Sequence, residues 1–395
     1  MKSIARFVVD SHCHISTLYQ PGTEEGWEKV ERGEWNGLSD ELEPYDNSAL
    51  TLYDMDRYGV DMAVLLPSIP GTTNEAQAKI VKKHPDKFRA CCSDQMTVLK
   101  AYRGEEKWTF KAALKEVEDA LKTGYFVGVG EFPPGSSAYS RQLPGAEGPI
   151  SFEERVEQWA ALCELGVKYD VPIYSHDQFL RRWMVLKDLL VKVSEMNPDA
   201  KIIQAHGAVG VKSATGTDAI REMYEAVGSL DNVYMETGGW CEKTFEIAFE
   251  AGVTANQLTW GHDYGNVPQY IVRKNIGMYG PMPEALEYRN TMSLMAFGYK
   301  NFPAVPTYQS DFYGWGLRTV DRVGNWLTQD EINLIMGGTA AKLFKLPVQY
   351  PRMFPEGRPD IFGDKWEESI PYLPDEQIVH PENVRMSKTP FTGKR

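Results

Sequence analysis

The sequence predicts an α/β fold, a (β/α)8 TIM barrel with long first and eighth βα loops and an extended C-terminal arm. Eight short apolar runs rich in β-branched residues recur along the 395-residue chain, and helical patterns lie between them. The runs are continuously apolar, which is typical of parallel strands covered by helices on both faces. Eight such units favour a closed barrel. The alternative, an open doubly wound sheet, usually carries a Gly-rich phosphate turn after its first strand, and none follows the first run here.

The strands are predicted from the apolar runs alone, and each run ends near a polar or charged residue. The predicted strands are Phe7–Val9, Met62–Leu66, Phe88–Cys92, Phe126–Val129, Val171–Tyr174, Lys201–Gln204, Asn232–Met235 and Gln257–Trp260.

The helices are predicted from apolar stripes and end signals. Over 109–124, one stripe holds Phe110, Leu114, Val117 and Leu121, and the glycine at 124 suits the position just beyond a helix end. Over 151–169, a serine followed three residues later by a glutamate forms a capping-box pattern. Further helices are predicted over 179–196, 217–230, 242–252 and 328–346.

Three segments exceed what a minimal barrel requires. We expect one metal-dependent barrel domain over 1–346, with loop insertions at 15–47 and 264–327 and a Pro-rich C-terminal arm over 347–395. The first insertion holds nine acidic residues, and the arm holds eight of the 24 prolines. The second insertion is rich in aromatic residues, which favours an ordered wall or lid over a disordered loop.

Composition limits the class of protein. The 55 acidic residues outnumber the 42 basic ones and give a formal net charge of −13, which argues against binding to nucleic acid. Five cysteines without a CxxC spacing fit a reducing compartment. The apolar run near the N-terminus is too short for a signal peptide, and no stretch has the ~18 apolar residues of a membrane span. We therefore expect a cytoplasmic protein that acts on a small molecule, with no nucleic-acid or membrane partner.

The end of the first predicted strand, Asp10-Ser11-His12-Cys13-His14, carries a His-x-His pair. Side chains alternate along a strand, so His12 and His14 point the same way and can hold one metal ion at the barrel mouth, while Cys13 points away. Asp10 is interpreted either as a support that orients a ligand histidine or as a turn-forming residue. Taken alone, the pair is as compatible with an ordinary surface pair as with a metal site.

Four more residues with metal-binding side chains end other predicted strands. Glu131 ends the fourth strand, His176 the fifth and His206 the sixth, and Asp263 follows the eighth. Barrel active sites are built from these strand ends, so we expect the four side chains to meet the histidine pair. Histidine and carboxylate donors suit Zn²⁺ first, with Mn²⁺ or Fe²⁺ as alternatives, rather than Ca²⁺ or Mg²⁺. Two interpretations stay open for Glu131, a metal ligand or a buried ion-pair partner.

The motifs VVDSHCH, YSHD, IIQAHG, NVYMETGG, LTWGHDYG and INLIMGGTAAKLFKL, spread between Phe7 and Leu346, together resemble the amidohydrolase superfamily. The most similar branch is the amidohydrolase-related group that includes aminocarboxymuconate semialdehyde decarboxylase. The resemblance implies a barrel enzyme that binds a divalent metal, usually zinc or manganese. With the Pro-rich arm, it also implies a homodimer or a higher homo-oligomer.

The resemblance implies roles for individual residues. His12, His14, His176 and Asp263 match the metal ligands of the family. His206 matches the sixth-strand histidine, which contacts substrate or water in one-metal members and binds the second metal in two-metal members.

Two departures from the family pattern concern the site. The eighth-strand motif commonly reads Gly-Ser-Asp-Tyr, whereas here His262 precedes Asp263. The GVGEF motif that contains Glu131 is closer to the fourth-strand motif of TatD-type deoxyribonucleases, where that glutamate bridges two metals. The number of ions therefore stays open at one or two, and the acidic net charge argues against a nuclease.

Three functions are compatible with these features. The first is a divalent-metal-dependent hydrolase of a small, aromatic or carboxylated substrate, in which metal-activated water attacks and Asp263 acts as general base beside His206. The second is a non-oxidative decarboxylase, a carbon–carbon lyase of an aromatic or unsaturated carboxylic acid, on the same metal site. The third is a metal-binding scaffold without catalysis, which the full ligand set disfavours.

Substrate contacts are predicted from residues that flank the metal ligands. His262 adjoins Asp263, and Tyr264 and Trp315 belong to the aromatic insertion. Arg181, next to Arg182 just after the fifth strand, is a candidate anchor for a substrate carboxylate.

Overall fold

Eight parallel strands form one sheet whose order follows the chain. In the first strand, the Ser11 N–H donates to the carbonyl of Trp260, just after the eighth strand, at 3.0 Å, which closes the sheet into the (β/α)8 barrel that the sequence predicts. The strands are Val9–Cys13, Met62–Leu65, Phe88–Cys92, Phe126–Val129, Ile173–Ser175, Ile202–Gln204, Val233–Glu236 and Leu258–Thr259. This computed structural model describes residues 7–15, 19–21, 23–31, 42–44, 46, 48–67, 72–135, 151–176, 183–207, 212–261, 263, 270–271, 276–277, 280–281 and 312–348.

Helices connect successive strands, as the alternating pattern predicts. The described helices are Glu24–Glu31, Ser48–Tyr58, Asn74–Lys83, Gln95–Tyr102, Phe110–Lys122, Phe152–Tyr169, Trp183–Met196, Lys212–Gly228, Glu242–Glu250, Phe312–Val323, Gln329–Asn333 and Thr339–Phe344. A 3₁₀ turn covers Ala255–Gln257, and a π-helical turn covers Leu334–Gly338. None of the described helices is both long enough and apolar enough to span a membrane.

The strand ends differ from the predicted ones by a few residues. The first strand is Val9–Cys13 rather than 7–9, because its polar residues join the ladder, where Asp10 pairs with Ala63. The seventh strand extends to Glu236, which pairs with Thr259. Ladder hydrogen bonding therefore continues into the polar residues at which an apolar run ends.

Helix Phe110–Lys122 illustrates how local sequence determines an element. It begins after Thr109, whose hydroxyl accepts the N–H of Ala112 at 3.2 Å. The predicted apolar stripe is partly correct, since Val117 and Leu121 are buried, whereas Phe110 and Leu114 are half-buried. The buried face is completed by two small alanines, which let the helix approach the sheet closely.

The described parts of the insertions contain regular structure. In the first insertion, strands Tyr19–Pro21 and Leu42–Pro44 pair antiparallel. In the second, three short strands form an antiparallel sheet, and the helix Phe312–Val323 packs against two barrel helices. The arm beyond residue 348 lies outside the described residues, so its packing stays a prediction.

The core has two layers. The larger apolar cluster includes Cys13, Phe88 and Trp159 among the sheet and the surrounding helices. A second cluster joins strand residues such as Val64 and Ile203 to Phe344 of the last helix. The buried polar side chains at the carboxyl ends of the strands include His12, His14, Glu131 and Glu236.

Candidate metal centre

His12 and His14 form one wall of a buried polar cluster at the barrel mouth. Both side chains are fully buried, and their Nε2 atoms approach the same Asp263 oxygen, Oδ1, at 3.6 and 2.9 Å. Cys13, between them, lies in the apolar cluster instead. The alternation along the first strand therefore directs both imidazoles into the mouth, as predicted.

Glu131 lies among three of the histidines. Its Oε1 is 3.3 Å from His12 Nε2 and 3.5 Å from His176 Nε2, and its Oε2 is 3.4 Å from His14 Nε2. The peptide N–H of His176 donates to the Glu131 carbonyl at 2.7 Å, which ties the fourth and fifth strand ends together. One carboxylate thus contacts both the His-x-His pair and the fifth-strand histidine.

Gly130 lets the chain bring Glu131 into this position. Its φ is +126°, and a Cβ on this residue would lie 1.9 Å from the carbonyl oxygen of Tyr174. No other residue type fits that space without displacing the fifth strand.

His206 and Asp263 complete the cluster from the sixth and eighth strands. The His206 Nε2 lies 3.8 Å from Asp263 Oδ2. Both residues have a φ of 54°, in the left-handed region that non-glycine residues seldom occupy. Strained backbone of this kind persists where surrounding structure enforces it, and it concentrates at functional sites.

The outer ring nitrogens of the first-strand histidines have protein partners. His12 Nδ1 lies 2.9 Å from Glu236 Oε2, and His14 Nδ1 lies 2.7 Å from the carbonyl oxygen of Leu66. A carboxylate and a carbonyl are acceptors, so each ring keeps a proton on Nδ1, and in its neutral form it presents a lone pair on Nε2. This is the arrangement that ligating histidines adopt in metal sites.

The charges in the cluster match a ligand set. Burial raises the pKa of the Glu131 carboxyl, but the neighbouring histidine charges outweigh burial and hold it at about 2. Burial also raises the pKa of the Asp263 carboxyl, but the neighbouring His12 and His14 outweigh burial and hold this pKa well below its usual range. Burial lowers the pKa of His176 to about 4, so its imidazole is neutral near pH 7. Ionised carboxylates and neutral imidazoles are the forms that bind metal ions.

The two first-strand histidines have raised pKa values. Burial lowers the pKa of His12, but the carboxylates of Glu131, Glu236 and Asp263 outweigh burial and raise it well above the usual value. The pKa of His14 is raised by Glu131 and Asp263, again against burial. A site of this kind therefore releases protons when it takes up a metal ion.

Unsatisfied atoms test whether a metal ion fits this cluster. Among the described residues, His12 Nε2, His14 Nε2 and Glu131 Oε2 are buried and make no hydrogen bond. Buried polar atoms are normally paired, so three such atoms converging on one place indicate a ligand. Three sets of donors each have their ligand atoms within 4.8 Å of one another: His12 with His14 and Asp263, Glu131 with His176 and His206, and His12 with His206 and Glu236. Nitrogen and oxygen donors in these numbers suit Zn²⁺, Mn²⁺ or Fe²⁺.

The structure brings together six of the ten residues that the sequence singles out for the site. They are His12, His14, Glu131, His176, His206 and Asp263. The predicted substrate contacts His262, Tyr264 and Arg181 lie outside the described residues, and Trp315 lies in helix Phe312–Val323 with its side chain outside the description.

Two buried supports of the site are absent from the sequence-based prediction. Glu236 accepts His12 Nδ1–H, and the hydroxyl of Tyr313 donates to Asp10 Oδ2 at 3.0 Å. Asp10 Oδ1 in turn accepts the peptide N–H of His12 at 3.0 Å, which agrees with its interpretation as a support of the ligand strand. A signal for Glu236 was present, since it is a carboxylate directly after the seventh apolar run. No local pattern marks Tyr313, which lies 303 residues from its partner.

Comparisons with known proteins support the family resemblance. A family model described as Amidohydrolase matches residues 9–346, a span that includes all six clustered residues. A sequence search of curated proteins gave no match.

Several solved structures are similar to this chain. One is a 2,6-dihydroxybenzoate decarboxylase complexed with 2,6-dihydroxybenzoate, with 14% identity and a TM-score of 0.48 over 88% of this chain and 100% of that chain. Another is a dihydroxybenzoic acid decarboxylase from Polaromonas sp. JS666 with bound manganese and the inhibitor 2-nitroresorcinol, with 14% identity and a TM-score of 0.47 over 88% and 98%. A third is the Metarhizium anisopliae IDCase in apo form, with 13% identity and a TM-score of 0.45 over 86% and 97%.

At this identity the likeness concerns the fold alone. The match of the family model over most of the sequence decides the family, and the chain belongs to the amidohydrolase family.

Proposed function

We propose that the protein is a metal-dependent hydrolase of a small aromatic or carboxylated substrate. The observation that carries the proposal is the position of Glu131, whose two oxygens contact three histidines from different strands. A carboxylate shared in this way suits a pair of ions, for which the donor groups are His12, His14 and Asp263 on one side and His176 and His206 on the other. Zn²⁺ is the first candidate, and Mn²⁺ is the second. Such ions, when bound, acidify water and polarise substrate oxygens.

The exposed edge of the cluster gives the direction of substrate approach. The side chains of His12 and His14 are fully buried and that of Glu131 is 3% exposed, whereas those of Asp263 and His206 are 15% and 21% exposed. A substrate therefore meets Asp263 and His206 first, and the His-x-His pair lies behind them.

We assign the handling of protons at that edge to Asp263 and His206. The Asp263 carboxylate is ionised because its pKa is held low, and its Oδ2 faces His206 Nε2 at 3.8 Å. We assign Asp263 as the general base that accepts a proton from the attacking water, because its carboxylate lies at the exposed edge beside His206. His206, on the same edge, orients the substrate or donates a proton to the leaving group.

An aromatic side chain flanks the edge. The Phe132 ring lies 5.0 Å from the His176 ring at an interplanar angle of 39°. This places an apolar surface next to the polar donors, which favours a substrate with an aromatic or unsaturated portion.

A non-oxidative decarboxylase is the second candidate. We consider this reaction as the alternative to hydrolysis because two of the similar structures are named as decarboxylases. In that reaction Asp263 would deliver a proton to the carbon that loses CO₂, and a cation would hold the substrate carboxylate. The predicted cation, Arg181, lies outside the described residues.

A substrate screen separates the two reactions. The protein is loaded with Zn²⁺ or Mn²⁺ and incubated with aryl esters, anilides, lactones and hydroxybenzoates, while acid release and CO₂ release are measured in parallel. Hydrolysis is expected to give acid without CO₂, and Asp263→Asn should remove it. Glu116→Gln, at a part-buried carboxylate outside the cluster that caps a helix, is the matched control and should remain active. CO₂ release without ester, amide or lactone cleavage would overturn the hydrolase proposal in favour of the decarboxylase.

A further inference from the structure

Glu236 is a fully buried carboxylate at the end of the seventh strand. It lies behind the donor groups described above, on the side of His12 that faces away from Glu131 and Asp263. Burying a carboxylate is costly unless hydrogen bonds compensate, so its partners indicate its role.

Three N–H donors converge on its two oxygens. Oε2 accepts His12 Nδ1–H at 2.9 Å and the peptide N–H of His206 at 2.8 Å. Oε1 accepts the peptide N–H of Gly238. Both oxygens are therefore engaged by protein donors, and the carboxylate contacts the His12 ring through Nδ1 rather than through the Nε2 that faces the donor cluster.

The His206 backbone is fixed on both sides. Its N–H donates to Glu236, and its carbonyl accepts the indole N–H of Trp240 at 2.9 Å. These two bonds hold the left-handed conformation at φ 54°, which an isolated histidine seldom adopts.

The carboxylate has little room to move. A Cβ on Gly261, just before the Asp263 loop, would lie 2.6 Å from both Cγ and Oε1 of Glu236. The glycine at this position is thus what admits the glutamate side chain.

We propose that Glu236 is a positioning residue whose single carboxylate sets the tautomer and orientation of the ligand His12 and, at the same time, the backbone of the catalytic His206. The inference rests on the proposed metal centre and deepens it. Because Oε2 is shared by His12 and His206, metal affinity and the placement of His206 depend on the same group. Outer partners of metal-binding histidines typically change metal affinity ~10- to 100-fold when they are removed.

Two variants test this role by different routes. Glu236→Gln keeps the size of the side chain but replaces one acceptor oxygen with an NH₂ donor, so at least one of the three converging N–H groups loses its acceptor. Gly261→Ala leaves Glu236 chemically intact and places a methyl group 2.6 Å from its Cγ and Oε1, so either the carboxylate or the Gly261 backbone must shift. Glu116→Gln is again the matched control, because Glu116 also accepts two peptide N–H groups, those of Met96 and Thr97, outside the site.

The measurements are the Zn²⁺ dissociation constant, obtained by competition with a chelator, and the visible absorption spectrum of the Co²⁺-loaded protein. We expect Glu236→Gln and Gly261→Ala to weaken Zn²⁺ binding by ~10- to 100-fold and to change the Co²⁺ spectrum. Glu116→Gln should lower thermal stability and leave both readouts at wild-type values.

Two results would contradict the proposal, and they can be told apart. If the wild type binds Zn²⁺ and both variants match it in affinity and in Co²⁺ spectrum, the role of Glu236 is wrong while the metal centre stands. If the wild type binds no divalent ion, the proposed function fails, and the role of Glu236 fails with it. Should Glu236→Gln not fold, a Gly261→Ala variant with wild-type Zn²⁺ affinity and Co²⁺ spectrum would still overturn the role of Glu236.

Discussion

The two ends of the barrel hold charge in different ways. At the amino end, Asp170 pairs with Lys201 and Lys345, and its side chain is 60% exposed. At the mouth, His12 pairs with Glu236, and both side chains are fully buried. Exposed ion pairs contribute little because water screens them, whereas the removal of one partner from a buried pair leaves an uncompensated charge. The barrel thus carries replaceable charge at one end and interdependent charge at the other.

Backbone conformation shows the same contrast. Asp170 and Lys345, at the amino end, have left-handed φ values of 51° and 52°, and each ends a helix. His206 and Asp263 have the same conformation but end barrel strands with their side chains in the polar cluster. A left-handed residue after a helix is an ordinary cap, whereas one that aims a histidine or a carboxylate into a cluster marks a site.

The largest expected effect comes from removal of the His-x-His pair. His12→Ala combined with His14→Ala should abolish metal binding and turnover while the barrel remains folded, because the apolar layers do not depend on the pair. Elemental analysis, an activity assay and circular dichroism check the three parts of this expectation. His84→Ala, at a histidine that ends a helix remote from the mouth, is the control. Full activity in the double variant would show that the metal centre lies elsewhere.

The next effect is expected at Glu131. Glu131→Gln removes the charge that three histidines share, so turnover should fall by more than the ~10- to 100-fold typical of an outer partner. Steady-state kinetics on the best substrate of the screen measure the loss. A variant with wild-type turnover would favour the alternative interpretation of Glu131 as a structural ion-pair partner.

A third effect concerns Asp94, a buried carboxylate at the mouth end that lies outside the donor cluster. Asp94 accepts the indole N–H of Trp108 at 2.8 Å, and burial raises its pKa from 3.8 to about 6. Between these pH values the unfolded chain loses the proton while the folded chain keeps it, so stability falls as pH rises through this window.

Asp94→Asn removes the group whose ionisation lowers the stability of the folded protein as pH rises. The variant should match the wild type near pH 4 and be more stable near pH 7.5, by at most about 3 kcal/mol. Denaturant unfolding of the metal-free proteins at both pH values is the measurement. An equal difference at the two pH values would contradict the assignment, since a change in packing alone does not depend on pH.

The smallest effect is expected at the amino end. Asp170→Asn breaks the exposed pairs with Lys201 and Lys345, and it should lower the free energy of unfolding by about 1 kcal/mol or less. Metal affinity should not change. A loss of metal binding in this variant would mean that the two ends of the barrel are coupled.

The sequence predicts the barrel and most of the donor cluster because both depend on local periodicity. Apolar runs locate the strands, and alternation within the first strand places His12 and His14 on one side. The sequence marks the position of Glu236 after the seventh apolar run, but the contacts of both supports depend on long-range packing that no local pattern encodes. Tyr313 reaches Asp10 from a helix at the other end of the chain, and the role of Glu236 depends on the room that Gly261 leaves.

The most direct test of the account is the number of ions that the protein binds. Metal-free wild type, Glu131→Gln and the control Glu116→Gln are titrated with Zn²⁺, and bound metal is measured by elemental analysis. Because Glu131 is shared by two donor groups, we expect two ions per chain for the wild type and the control, and one for Glu131→Gln. A wild type that binds one ion with unchanged affinity in Glu131→Gln would contradict the shared-carboxylate centre, and a wild type that binds none would contradict the metal centre itself.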